Sequence, residues 1–282
     1  MALYAFDGTG NRDHSETNAN RNSNVFRFKE AYQGERFYVP GVGTRFGLLG
    51  KIFGTILGAG GRTRIREGLA ALEANVAKGD RDVDIVGFSR GAALALHFAN
   101  EVAERGLTVR FLGLWDVVGS FGIPFNFGPF QFQRVNVGWK LTLPQGVKHC
   151  FHAIALDERR QAFRVTRVAG AYEVWFRGVH SDIGGGNENL ELSNIALAWM
   201  LRKAARAGVP VDPAVADSLQ VDPDAPVRPS ELDLIENDFR EVLPVWMHHT
   251  IKIREHQNYR PVPPGCPVET PELERERISL IS

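Results

Sequence analysis

Residues 83 to 100, VDIVGFSRGAALALHFAN, constrain this chain more than any other stretch. A β-branched apolar run enters Gly87-Phe88-Ser89-Arg90-Gly91 and leaves directly into an Ala- and Leu-rich segment, so strand must pass to helix within a residue or two. The pentapeptide fits G-x-S-x-G, in which a sharp turn exposes a serine hydroxyl at the C-terminal end of a strand. Side chains at the two glycine positions would collide with the adjoining strand and helix. The plainer alternative is a small residue in an ordinary strand-to-helix turn. The strand before and the helix after are the context the motif requires.

Further short apolar runs occur in ALYAF, RFYVPG, VRFLGLW, CFHAIAL and YEVWF, several of them separated by helical patterns. The clearest helices begin at Arg62, follow Ser89 to about Arg105, and span ELSNIALAWMLRKAARAG, which ends on Gly208. That alternation predicts an α/β fold with a mostly parallel central sheet flanked by helices, and residues 1–282 are read as one domain. Two segments break the rhythm, the Gly-rich residues 41–61 and the Phe-rich residues 120–144, and their length marks them as lid-like insertions. The Pro- and Asp-rich residues 212–230 read as surface connection.

Several function classes fall away on composition. Lys+Arg and Asp+Glu number 33 each, so there is no basic footprint for nucleic acid and no bulk attraction to an anionic membrane. Cys150 and Cys266 are far apart and outside any C-x-x-C spacing, which argues against a disulfide framework or a structural zinc site and for synthesis in the cytoplasm. The N-terminus MALYAFDGTGN lacks the basic and apolar regions of a signal peptide. The most apolar stretch, Phe46 to Gly61, is shorter than the roughly 20 residues of a spanning helix and is interrupted by Lys51, so the chain is not read as transmembrane.

A serine hydroxyl becomes a nucleophile when an oriented imidazole takes its proton, and with this elbow the chain order is Ser, then Asp or Glu, then His. Two carboxylates close strand-like runs after Ser89: Asp116 and its rival Asp157. His180, beyond YEVWF in a glycine-loosened loop, is the expected base, with His256 as runner-up. His149 and His152 read as buried and satisfied, and His97 lies along the helix after the elbow. The expected oxyanion donors are the Arg90 amide and, in FDGTGN after the first strand, the amides of Gly8 or Thr9. Asp-Gly-Thr after a strand also suggests a phosphatase of the haloacid dehalogenase type, but the aspartate nucleophile that fold needs is replaced by Ala5. Neither G-x-x-x-x-G-K-[ST] nor H-E-x-x-H occurs, so no metal and no cofactor are expected.

With FDGTGN, YVPGVGT, GFSRGAA, LWDVVGS, ALDERR, FRGVHSDIGGG and IALAWML in this order, residues 1 to about 203 resemble the α/β-hydrolase family of uncharacterised proteins that includes the type VI secretion phospholipase effectors. The resemblance implies an α/β-hydrolase fold and a serine esterase cleaving acyl esters of phospholipids. It makes Ser89 the nucleophile, Asp116 the acid and His180 the base. It also implies export without a signal peptide, transient contact with a membrane surface, and a secretion-apparatus component or an immunity protein as partner. One departure is Asn187, where relatives often carry an aromatic residue after the glycines. The competing readings are a general esterase for soluble esters and a non-catalytic, hydrolase-like binding module.

Overall fold

The computed structural model describes residues 1–9, 11, 18–41, 60–119, 138–160, 163–227, 239–241, 244–253 and 260–276. The apolar runs become strands that are buried on both faces: β1 (Ala2–Phe6), β3 (Val83–Phe88), β4 (Val109–Trp115), β5 (Val147–Ala155) and β6 (Tyr172–Phe176). Near-continuous apolar sequence of this kind belongs to parallel strands covered by helices on both sides. β2 (Glu35–Val39), at one edge, runs from the exposed, charged Glu35 and Arg36 to the buried Val39. At the other edge lie the short β7 (Trp246–His248) and β8 (Val268–Glu269). Among the described residues these strands form one sheet in the order β2-β1-β3-β4-β5-β6-β7-β8, with every pairing parallel.

Parallel neighbours need crossovers, and the helices supply them. On one face α2 (Gly61–Ala77) and α3 (Arg90–Glu104) pack Ile65, Leu72, Phe98 and Val102 against Tyr4, Phe6 and Ile85. On the other face α1 (Asn24–Ala31) and α5 (Leu190–Arg206) pack Phe28, Trp199 and Met200 against Leu3, Val86 and Phe151. Between β6 and α5 lies the short α4 (His180–Gly184), and α7 (Pro271–Glu276) follows β8.

One expectation is corrected. Residues 212–230 are not simple connection, because α6 (Pro213–Ser218) lies within them and buries Ala216 against α5. Asp212 accepts the Ala214 N–H at 2.8 Å and Pro213 occupies the first turn, which is the usual chemistry of a helix start. The two lid-like segments fall mainly on residues 42–59 and 120–137, outside the described residues, as does His256. Among the described residues no helix is long and apolar enough to cross a membrane.

The topology also fixes where a ligand can sit. From β1 the chain builds outward to β2, then returns to place β3 on the other side of β1 and continues in that direction. Open parallel sheets bind ligands at such a reversal, beyond the C-terminal ends of the strands. Phe6 is level with Gly87, so the residues after β1 and Ser89 after β3 emerge side by side at that crevice.

Candidate active site

Ser89 sits between β3 and α3 with φ 59° and ψ −125°, a conformation that costs a non-glycine residue about 1–3 kcal/mol. Its backbone is held on both sides: the Ser89 N–H donates to the Trp115 carbonyl at 3.0 Å, and the Ser89 carbonyl accepts from Ala92 and Val118. The flanking glycines are required by space. A Cβ on Gly87 would lie 2.6 Å from the Ala92 Cα, and one on Gly91 would lie 2.3 Å from the Phe6 carbonyl oxygen. α3 is thereby drawn hard against the ends of β1 and β3, and the serine is tipped into the crevice.

Ser89 Oγ is 2.8 Å from His180 Nε2, and His180 Nδ1 is 2.5 Å from Asp116 Oδ2. All three side chains are buried. Asp116 directly follows β4 with φ 43°, a left-handed turn that aims its carboxylate across the strand ends toward the loop after β6. His180 opens α4, and its ring lies between Phe88 and Phe163, with both ring centroids 4.6 Å away. Burial pushes the His180 pKa below its ordinary value, against the opposing pull of Asp116. The imidazole is therefore held neutral, the form that can accept a proton.

Asp157, the rival acid, does different work. It accepts from the Arg177 guanidinium and the Gly178 N–H, each at 2.7 Å, and from the Arg260 N–H at 3.0 Å. The adjacent Glu158 accepts the His180 N–H at 3.0 Å. Burial alone would raise the Glu158 pKa, but Arg160, with Arg240 and His180, brings it down to about 2. The two carboxylates of ALDERR thus anchor the loop that carries the imidazole.

Sequence reasoning missed Arg240. Its guanidinium is buried and bidentate on Asp116, with Nη1 to Oδ1 at 2.7 Å and Nη2 to Oδ2 at 2.9 Å. Nη1 also donates to the Ala155 carbonyl at 2.9 Å. Burial on its own would raise the Asp116 pKa, yet Arg240 and His180 hold the carboxyl well below the usual carboxylate range. The arginine lies 124 residues from Asp116, in an acid-rich stretch with no motif, so no spacing rule points to it.

The loop after β1 is fastened by Asp7. This buried carboxyl accepts from the Gly8 N–H at 2.7 Å, Ser23 Oγ at 2.6 Å and Tyr38 OH at 2.7 Å. Burial raises its pKa, against the pull of those hydrogen bonds and one from Asn11. Ser23 also caps α1 by accepting the Phe26 N–H at 3.1 Å, a contact type worth about 1 kcal/mol. Of the expected oxyanion donors, the Gly8 amide is therefore engaged by Asp7. Thr9 lies one residue further along that loop, and Arg90 is the first residue of α3. Among the described residues, two further histidines are engaged elsewhere: His152 accepts the Val117 N–H at 3.1 Å and pairs with Glu173 at 2.9 Å, while His97 accepts the Lys140 N–H at 3.2 Å.

A parallel sheet with hydroxyl, imidazole and carboxylate in line at its strand ends defines the α/β-hydrolase class. A family model described as "T6SS, Phospholipase effector Tle1-like, catalytic domain" matches residues 3–108 and 93–203, and the chain belongs to that family. Over 76 residues, 24% of this chain and 11% of the other, it is 34% identical to the uncharacterized protein YEL023C of Saccharomyces cerevisiae. An uncharacterized protein from Pseudomonas aeruginosa has a similar fold: TM-score 0.56 and 22% identity, covering 78% of this chain and 48% of that one. The structure of the Tle1 effector bound to the VgrG spike from the Type 6 secretion system matches with TM-score 0.48 and 26% identity, over 66% of this chain and 50% of that one. The chain thus spans about half the length of the solved structures it matches.

Proposed function

We propose that this chain, as one hydrolase unit over residues 1–282, hydrolyses acyl esters of glycerophospholipids through a serine acyl-enzyme. The observation that carries the reading is the relay from Asp116 Oδ2 through the His180 ring to Ser89 Oγ, with steps of 2.5 and 2.8 Å. Ser89 Oγ attacks the ester carbonyl carbon while His180 Nε2 takes its proton. Asp116 holds the Nδ1 proton and stabilises the imidazolium. The carbonyl oxygen, now anionic, is bound by the amides of Arg90 and Thr9. The tetrahedral intermediate collapses as His180 protonates the departing alcohol oxygen. Water then repeats the sequence, releasing a fatty acid and restoring the Ser89 hydroxyl.

The family supports a lipid substrate, reached by transient contact with a membrane surface. It also supports export without a signal peptide and carriage by a component of the secretion apparatus; neutralisation by an immunity protein in the producing cell belongs to the same proposal. The decisive experiment pairs fluorophosphonate labelling with lipid-product analysis. Ser89-dependent labelling together with fatty-acid release from phospholipid micelles is expected. Absence of labelling would leave a non-catalytic binding module, and equal rates on micelles and short soluble esters would leave a general esterase.

Arg240 is assigned a positioning role, and its effect has a sign. Its charge opposes protonation of His180, so Arg240→Gln should raise the imidazole pKa. Because the base must be neutral, the acid limb of kcat/KM should move to higher pH in that variant. Arg240→Lys should restore the limb in part, since the charge returns without the bidentate fork. An unmoved limb in Arg240→Gln would reduce Arg240 to packing.

A further inference from the structure

We propose that His248, His249 and Glu274 form a zinc site at the β7–β8 edge of the sheet, separate from Ser89 and from the ester chemistry. His248 ends β7, the adjacent His249 begins the 3-10 turn after it, and Glu274 projects from α7, so a neighbouring histidine pair meets a carboxylate from further along the chain. Glu274 Oε2 is 3.3 Å from His248 Nε2 and 3.4 Å from His249 Nε2. Those separations exceed the roughly 2.7–3.2 Å of a good N–H···O hydrogen bond. They match the edge of a tetrahedron: ligand atoms at about 2.0–2.1 Å from a zinc ion stand about 3.3–3.4 Å apart. All three donor atoms lie within 4.8 Å of one another, so small rotations of the imidazoles bring them onto one ion.

The surroundings orient the donors. The other nitrogen of His248, Nδ1, is 2.8 Å from the Thr250 hydroxyl. The His248 ring is also stacked on Phe176 with centroids 4.7 Å apart. Nδ1 also accepts the Thr250 N–H at 3.4 Å, so the ring is fastened from behind by Thr250 while Nε2 faces Glu274, and zinc uptake would release the proton that Nε2 holds. Arg202 Nη1 donates to the second carboxylate oxygen, Glu274 Oε1, at 2.9 Å and leaves Oε2 facing the histidines. Of the nearby cations, Arg202 also reaches Asp217 at 3.1 Å and Lys203 is paired with Glu269 at 2.7 Å, while Arg206 and Arg275 line the same cleft. Two imidazoles and one carboxylate suit zinc rather than calcium or magnesium, which take oxygen ligands. His249 and Glu274 line a cleft of about 670 Å³, through which the ion enters and from which a water completes the tetrahedron. The bound ion would tie α7 to β7 and, through Arg202, to α5.

The sequence expectation of no metal rested on cysteine spacing and on the absence of H-E-x-x-H. Both are patterns local in the chain, whereas this cluster joins residues 26 apart and needs the fold to exist.

The test uses the tag-free full chain, stripped with chelator and titrated with zinc chloride by calorimetry, with bound metal counted after dialysis. One equivalent per chain is expected, with a rise in Tm of roughly 5 °C or more at a hundredfold excess over Kd. Cobalt(II) should produce the visible absorption of a tetrahedral complex. His249→Ala, at a half-buried position, should fold and lose at least about tenfold in zinc affinity, and Glu274→Gln should do the same. If Glu274→Gln fails to fold, His249→Ala decides. No uptake by the stripped chain, or uptake that His249→Ala retains in full, overturns the site. Neither result depends on esterase activity.

Discussion

Ser89→Ala is expected to lower kcat on an acyl ester by about 10⁶-fold, since removing the nucleophile forfeits the action of the whole relay and leaves only binding and oxyanion stabilisation. The fold should survive. Ser89 is held by its backbone, through the Trp115 carbonyl and the Ala92 and Val118 amides, and none of those contacts uses the hydroxyl. Alanine inherits the same φ of 59° and the same strain, so Tm should change little. Initial rates on micellar phospholipid beside a thermal melt make the measurement. Wild-type turnover in a folded Ser89→Ala would end the serine-esterase reading.

Asp116→Asn should reduce kcat by about 10⁴-fold, because an amide no longer holds the imidazole with its Nε2 lone pair toward Ser89 or balances the imidazolium. This variant carries a second, independent cost. Arg240 would keep its charge in a buried site without the carboxylate it now grips at 2.7 and 2.9 Å, and breaking a buried pair from one side costs about 3–5 kcal/mol. The pH dependence follows from the depressed Asp116 pKa. A carboxyl whose folded pKa lies below its unfolded value adds stability that is present above about pH 4 and lost as pH falls through the folded value. Wild type should therefore lose this stability on acidification below about pH 4, while the variant, lacking the group, should show a flatter acid limb. Urea melts across that range would check it. Equal slopes would mean that Asp116 is not held as described.

Strands and helices were legible where sequence periodicity and burial agree. VDIVGF, VRFLGLW, CFHAIAL and YEVWF are apolar because both faces are covered, and a run with that property can be read without coordinates. The α6 helix was harder to see because only one turn of it packs, and Pro and Asp dominate its start. Ser89, Asp116 and His180 were legible for a related reason. Each directly follows a strand or strand-end turn, and in a parallel sheet all such ends share one edge. Order along the chain therefore translates into proximity in space. Between Asp116 and Asp157 the same rule was silent, since both close strands.

Residue order alone implied that a strand-turn-helix would present one serine between two glycines, and that a carboxylate and an imidazole would follow at neighbouring strand ends. Those features depend on steric fit and burial within a few residues of each position. It took the folded chain to reveal that Asp116 meets His180, that Asp157 and Glu158 anchor the imidazole's loop, and that Arg240 grips the acid from far along the chain. The reason is electrostatic. A buried charge requires a partner in space, and any element the fold brings close can supply it, so sequence separation carries no record of which one does.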